Sequence, residues 1–498
     1  MTKKQALDLL LEKLKVARVL GMASGTMQWD AQTTGVPEKS LNDRGEAMGW
    51  ISGEMFRRLM SPDTLEAVET LEAVSTELND VERAMVREIG SKYRKFTAVP
   101  QEEFEKYNEL VAQSMMVWET AREKRDYDMM LPYYEKIFDY QRRLCDWYGY
   151  ENHPYDALLN DYDKGSTVEL LDGFFSALRE KVVPLFLEIV KEGKQPTEIK
   201  GLFDAEKQRT LMPWLAQFTG YDLSRGKVGE VEHPFCMSLN HNDVRITTKY
   251  HEDNLQSALF STIHECGHAI YQQNMSEELY RYGLADGASC AMHESQSRLY
   301  ENMICRSRAF VGQLLPKLRE QFDYFANWDE EMLYRAVNIT RPSLIRIEAD
   351  ELTYSLHVMV RYELEKALIS GDIKVKDLPE LWSDKYQEFI GIRPNDLAEG
   401  VLQDCHWGYG LVGYFPSYAV GTAFGAQFMN SINKVVDVDA AIKNEDLSPV
   451  TDWLKENVHK HGEILLPDEL IKKATGEEFN PNYYADYLIE KFTDLYLK

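Results

Sequence analysis

The chain has 498 residues, 44% hydrophobic and 28% charged, with a net charge of −26. That length can bury a large core without disulfides or structural metals. The acidity argues against nucleic acid or an anionic membrane as a partner, since each needs a basic face.

The opening stretch, MTKKQALDLLLEKLKVARVLG, scatters charges through its apolar residues, which predicts an amphipathic helix from near Lys4 rather than a signal peptide. Three-to-four spacing of apolar residues predicts helices over 64–96, 100–126, 168–192, 254–273, 293–323, 344–370 and 437–459. Pro and Gly mark breaks at 193–201, 391–396 and 465–470. One segment departs from this pattern. HPFCMSLNHNDVRITTKY (233–250) is short, β-branched and partly alternating, and predicts a β-hairpin turning near Asn240–Asn242. Trp407 to Asn433 carries no formal charge, but its five glycines and one proline suit a buried, tightly turning segment better than a membrane span. The six cysteines are scattered with no C-x-x-C pair, and read as free thiols in a reducing compartment. No repeat and no linker divides the chain. The expectation is one mainly α-helical domain over 1–498 with a small β-sheet beside the site described next.

That site is His264-Glu265-Cys266-Gly267-His268. On a helix, His264 and His268 lie one turn apart on one face, where two imidazoles can reach one metal ion. Glu265 sits about 100° around the helix. It is too far round to be a ligand, yet placed to act as general base on a water at the ion. Cys266 faces elsewhere and reads as a small core residue. A catalytic zinc takes three protein ligands, and the residues leave two candidates for the third, His293 and Glu294. Ser295 and Gln296 are candidates to orient ligands by hydrogen bonds.

Six motifs then follow in order: HPF (233–235), DVRIT (243–247), HECGH (264–268), HESQ (293–296), IRIEAD (345–350) and GVLQDCHW (400–407). With YDALLNDYDKG (155–165), GYFPSYAVG (413–421) and TGEEFNPNYYADYL (475–488), this chain resembles the M32 family of metallocarboxypeptidases. The likeness is densest over 231–425. It implies a large helical fold with a deep groove, usually a homodimer. It implies a Zn²⁺ cofactor, sometimes replaced by Co²⁺, and favours Glu294 as the third ligand. The implied activity is stepwise release of C-terminal residues from peptides, with broad side-chain tolerance and poor action next to proline. The expected location is the cytoplasm.

An enzyme that cleaves only the last peptide bond must recognise a free carboxylate. Arg346 is the candidate, because a guanidinium can grip a carboxylate with two parallel bonds. Its structural alternative is an ion pair with Glu348 or Asp350. Tyr418 matches a family tyrosine at the same carboxylate, with a core tyrosine as the alternative. His406 is a candidate donor to the oxyanion or to the carboxylate, against a core histidine. His233 belongs to a family motif and is a further candidate for substrate binding. Asp243 and Arg245 read as a structural pair, and Asp350 as a partner orienting a metal-binding histidine. Two rival readings stand beside the carboxypeptidase: a zinc oligopeptidase that cuts internally, and a helical interaction protein without activity.

Overall fold

Thr2 starts the first helix, Lys3–Thr33 (α1): its hydroxyl accepts from the Gln5 N–H while the Gln5 amide oxygen accepts from the Thr2 N–H. The computed structural model describes all residues from 1 to 498. The helices predicted over 100–126 and 168–192 form as Gln101–Lys124 and Val168–Glu192. The one predicted over 254–273 forms as Leu255–Gln273, behind an Asn254 cap.

Four predicted helices are interrupted, each for a local reason. The segment 64–96 becomes Pro62–Glu72 and Asp80–Ala98 (α2), because Asn79 and Glu82 form a reciprocal cap that begins a new helix. Leu255–Gln273 is α3. The segment 293–323 divides into Cys290–Arg298 (α4), a π-helical stretch Leu299–Ile304, and Arg308–Gln321 behind a Ser307 cap. In 344–370 only Tyr354–Ser370 (α5) is α-helical. The residues before it turn around Asp350, which accepts from the Thr340 hydroxyl and the N–H groups of Leu352 and Thr353, and such local bonds compete with helix. The segment 437–459 divides into Val438–Lys443 and Ser448–Asn457, where Pro449 opens the second helix. The uncharged stretch turns tightly and then forms Pro416–Ile432 (α6). No helix is long and apolar enough to cross a membrane. All six cysteines are free thiols.

The hairpin forms as Cys236–Asn240 (β2) and Asp243–Thr248 (β3), with the turn at His241–Asn242. A third strand, Gly226–Glu230 (β1), lies parallel to β3, so the order is β1-β3-β2 and β3 is central. β1 carries two glycines and little alternation, which hid it from the sequence pattern. Val244 and Ile246 of β3 are fully buried, and the strand packs against α3. The pair expected between Asp243 and Arg245 is present, two parallel bonds of 2.7 Å, with the guanidinium 5.3 Å above the Trp29 ring of α1.

A continuous apolar cluster runs from Ala6 to Tyr496. At its centre α4 is held between α3 and α6 at unusually close range. A Cβ on Gly267 of α3 would stand 2.7 Å from the Gln296 carbonyl oxygen and the Ser297 Cα. A Cβ on Gly421 of α6 would stand 2.7 Å from both the Ala291 carbonyl oxygen and the Glu294 Cβ. Glycine at these two positions lets the backbones approach. That approach carries Glu294 to the histidines of α3.

Candidate metal centre

His264, His268 and Glu294 converge in the folded chain. Glu294 Oε2 lies 3.4 Å from His264 Nε2 and 3.4 Å from His268 Nε2. All three ligand atoms fall within 4.8 Å of one another. Two imidazole nitrogens and one carboxylate oxygen, facing a common point, are the donor set of a three-ligand catalytic site for a borderline ion such as zinc. The other nitrogens are occupied. Nδ1–H of His264 donates to Glu301 Oε2 at 2.9 Å, which turns Nε2 toward Glu294. Nδ1 of His268 lies 2.6 Å from Nδ1 of His293, in hydrogen-bond contact. His293 therefore backs His268 instead of completing the triad, and Glu294 is the residue that faces both histidines.

The carboxylates are held by a cationic frame. Arg298 donates to Glu294 at 2.7 Å and to Glu301 at 3.1 Å, and Arg306 donates to Glu301 at 3.2 Å. The Ser297 hydroxyl donates to Glu294 Oε2 at 2.8 Å. Burial would raise Glu301, but Arg298, His264 and Arg306 pull it down to about 2. Burial also opposes charge on His264, yet Glu294 and Glu301 together raise it to about 10. His268, buried and beside a charged His264, is lowered. Asp163 fixes the start of α4, accepting from the Ala291 N–H at 2.7 Å and from the Ser417 hydroxyl of α6.

This frame corrects several expectations. Asp350 orients no metal-binding histidine, because its bonds go to Thr340, Arg341, Leu352 and Thr353. Glu301 and His293 hold the histidines. Ser295 bonds the Met292 carbonyl and Gln296 bonds His459, so neither touches a ligand. Ser297 supports Glu294 in their place. Sequence reasoning missed Glu301, although one signal was available: it follows Glu294 by seven residues, two turns along the same face. Cys266 is buried, as expected of a core residue.

Glu265 is 6% exposed, and burial pushes it up to about 7. The charges that reach it are His264, Glu294, Glu301 and Arg298, and no hydrogen bond from the protein holds its carboxylate. A general base at neutral pH needs both properties, a pKa near the working pH and free lone pairs. The ligand set opens on a cavity of about 550 Å³, whose lining includes Arg298, Tyr414, Ser417 and Tyr418 and residues of α2.

Comparison with known proteins agrees with this geometry. The family model described as carboxypeptidase Taq (M32) metallopeptidase matches residues 9–492. The chain belongs to the M32 metallopeptidase family. It is 40% identical over 479 residues to carboxypeptidase 1 of Bacillus subtilis, covering 95% of each chain. It is 35% identical over 488 residues to thermostable carboxypeptidase 1 of Pyrococcus furiosus, covering 97% of each. Among solved structures, a Pyrococcus furiosus carboxypeptidase superposes with a TM-score of 0.94 at 35% identity, covering 98% of this chain and 99% of that one. Metallocarboxypeptidase 1 of Trypanosoma cruzi superposes at 0.93 with 32% identity, covering 99% and 100%. As an M32 enzyme the chain is a metallocarboxypeptidase, and its substrates are peptides.

The remaining candidates fall at different distances from the M32 metal centre. Tyr418 lines the cavity. Arg346 stands next to it, with its guanidinium 5.1 Å from the Tyr418 ring, but is only 5% exposed. Its partner is not Glu348 or Asp350. Nε and Nη2 donate to Asp404 at 3.1 and 2.9 Å, and Nη1 donates to the Tyr354 hydroxyl at 3.1 Å. Asp404 also takes Arg361 at 2.7 Å, so two buried guanidiniums share one carboxylate. The His406 ring lies 4.4 Å from the Phe415 ring, tilted by 32°, and 6.4 Å from the Tyr418 ring. Burial lowers it to about 4, leaving a neutral imidazole at pH 7. His233 is exposed on the loop before β2 and does not line the cavity.

Proposed function

We propose that this chain is a zinc-dependent carboxypeptidase that releases single residues from the free C-terminus of peptides, with broad side-chain tolerance and poor action next to proline. The observation that carries the reading is the pairing of a three-donor ligand set with a buried, unbonded Glu265 on the helix that carries the two histidines. His264 and His268 would hold the ion through Nε2, and Glu294 through a carboxylate oxygen. When bound, zinc would polarise the scissile carbonyl and acidify a water, and Co²⁺ could supply the same chemistry. Glu265 accepts the proton of the attacking water and delivers it to the leaving nitrogen. Arg298 and Ser297 keep Glu294 ionised and fixed through the cycle.

Tyr418 and Arg346 are proposed to hold the terminal carboxylate. Tyr418 makes the first contact at the cavity wall. Arg346 supplies charge from behind its ring, and Asp404 fixes the guanidinium plane. His406, neutral and packed edge-on to the Tyr418 ring, is a proposed donor to the same group. His233 is a proposed contact for the rest of an extended peptide. A homodimer in the cytoplasm is proposed on the family likeness and the free thiols, and sedimentation would test the dimer.

The test uses an N-blocked peptide of mixed sequence, as free acid and as C-terminal amide, incubated with zinc-loaded protein and followed by mass spectrometry. The expected result is a chelator-sensitive ladder of single losses from the free acid alone. Internal fragments from both peptides would make the chain an endo-acting oligopeptidase. Glu265→Gln should keep stoichiometric zinc and lose about 10²–10⁴ in turnover, the usual size of a general-base contribution.

A further inference from the structure

The cavity at the ligand set is also lined by cations. α2 contributes Ser91, Lys92 and Lys95 to it, and Lys164 stands beside them. A further cavity of about 480 Å³ runs along the same helix, shares Ser91 and Lys95 with the first, and is lined by Arg83, Arg87 and Arg94. In a chain of net charge −26, one helix thus places cations along two adjoining hollows, one of which contains the metal ligands.

Most of these cations are already neutralised. Lys95 pairs with Asp161, Lys164 with Glu88, and Arg94 with Glu72 at 2.6 Å. Arg298, also in the lining, pairs with Glu294 at 2.7 Å. Lys92 differs. It is exposed, it lines the metal-side cavity, and no carboxylate comes within 4.0 Å of its ammonium. Among the acids of the cavity, Glu463 feels it: burial raises this carboxyl against the downward pull of Lys92, to about 7 overall.

We propose that Lys92 is a specificity-determining residue that receives a carboxylate of the bound peptide. The inference rests on the carboxypeptidase reading, because a peptide with a free C-terminus always brings at least one carboxylate into this cavity. The long-range field of an acidic chain repels such a substrate. A cation on the cavity wall without an internal partner offsets that repulsion where it matters, and it needs no broken ion pair to do so. Two carboxylates share this chemistry: the terminal one, and the side chain of an Asp or Glu close to it. Glu463 competes for the same cation.

The test is binding of three N-blocked probe peptides to zinc-loaded protein carrying Glu265→Gln, measured by titration calorimetry with and without Lys92→Ala. The probes are an all-alanine free acid, the same acid with one Glu before its last residue, and the all-alanine amide. Lys92→Ala should weaken carboxylate-bearing probes by about three- to fivefold, the size of an exposed ion pair. Lys92→Arg should preserve their binding, and Glu463→Gln should tighten it. A loss confined to the Glu probe assigns the side chain, and a loss on both acids but not the amide assigns the terminal carboxylate. No loss on any probe, or an equal loss on all three, overturns the proposal. Turnover of the all-alanine acid by the unsubstituted enzyme is scored separately. Its failure would count against the carboxypeptidase reading while the binding comparison still decides the role of Lys92.

Discussion

The geometry around His264 makes metal uptake a proton exchange, and the exchange can be measured. In the metal-free protein Nδ1–H of His264 donates to Glu301, and Nε2 lies 3.4 Å from Glu294. Burial alone would keep this ring neutral, but the two carboxylates raise it to about 10 against an ordinary 6.5. An ion needs the Nε2 lone pair, so below about pH 10 each ion bound must expel one proton from His264. One proton expelled per ion means a tenfold gain in apparent affinity per pH unit. An unperturbed histidine would give a plateau above about pH 6.5. Here the gain should continue, close to a hundredfold between pH 7 and 9. The assay is zinc binding against a competing chelator of known affinity, repeated across that range, with proton release checked calorimetrically in buffers of different ionisation heat. Zinc affinity that is flat above pH 7 would refute the reasoning. The same group sets a sign for stability without metal. Its folded pKa lies above its unfolded value, so its contribution is complete below pH 6.5 and is lost as pH rises through about 10.

Three further outcomes are expected. Glu301→Ala removes the acceptor of His264 Nδ1–H and should weaken zinc binding by about 10–100-fold, the usual cost of losing a partner behind a metal ligand; an unchanged dissociation constant would remove Glu301 from the site. Gly421→Ala forces a Cβ to within 2.7 Å of Glu294 and the Ala291 carbonyl, and should cost about 1–3 kcal/mol in denaturant unfolding together with some zinc affinity. Neutral behaviour would mean that α4 and α6 have slack between them. Asp404→Asn takes the shared carboxylate from Arg346 and Arg361. It should cost about 3–5 kcal/mol as two buried guanidiniums lose their counter-charge, and a variant as stable as the parent would show that Tyr354 and Gln403 suffice.

Much of the metal centre was legible in the sequence because its chemistry is local. Two histidines at i and i+4 face one way on any helix, and the His293–Glu294 pair lay close enough downstream to supply the third donor. The hairpin over 233–250 was legible through alternation and a polar turn. The failures share one cause, that apolar periodicity reports which face is buried and not whether the backbone is continuous. α2 is preceded by a break that only the Asn79–Glu82 cap announces. The π-helical stretch after α4 keeps its buried residues in sequence while changing the hydrogen-bond step. β1 was invisible because its own residues carry little pattern and it pairs with β3 past the intervening β2 and not with its neighbour in sequence. Asp350 was misassigned for the opposite reason: an acidic residue inside a family motif suggested a metal partner, but its lone pairs are taken up by its own loop.

The supporting groups explain why a site so close to neutrality can wait for an ion without collapsing. Glu294 and Glu301 are each 9% exposed or less, and two ionised carboxylates so placed would repel each other and lose hydration. Arg298 bridges them, Arg306 holds the far side of Glu301, and a protonated His264 lies between the two. A divalent ion held there would take the place of that proton, so the charge between the carboxylates would change by a single unit while the arginines stay in place. The π-helical stretch contributes to this, since it carries Glu301 directly after α4 and behind His264. The closeness of α4 to α3 and α6 contributes the rest, because it leaves the Glu294 side chain no room to retreat. The ligand set is held by packing on one side and by charge on the other, which is the preorganisation a hydrolytic metal site requires.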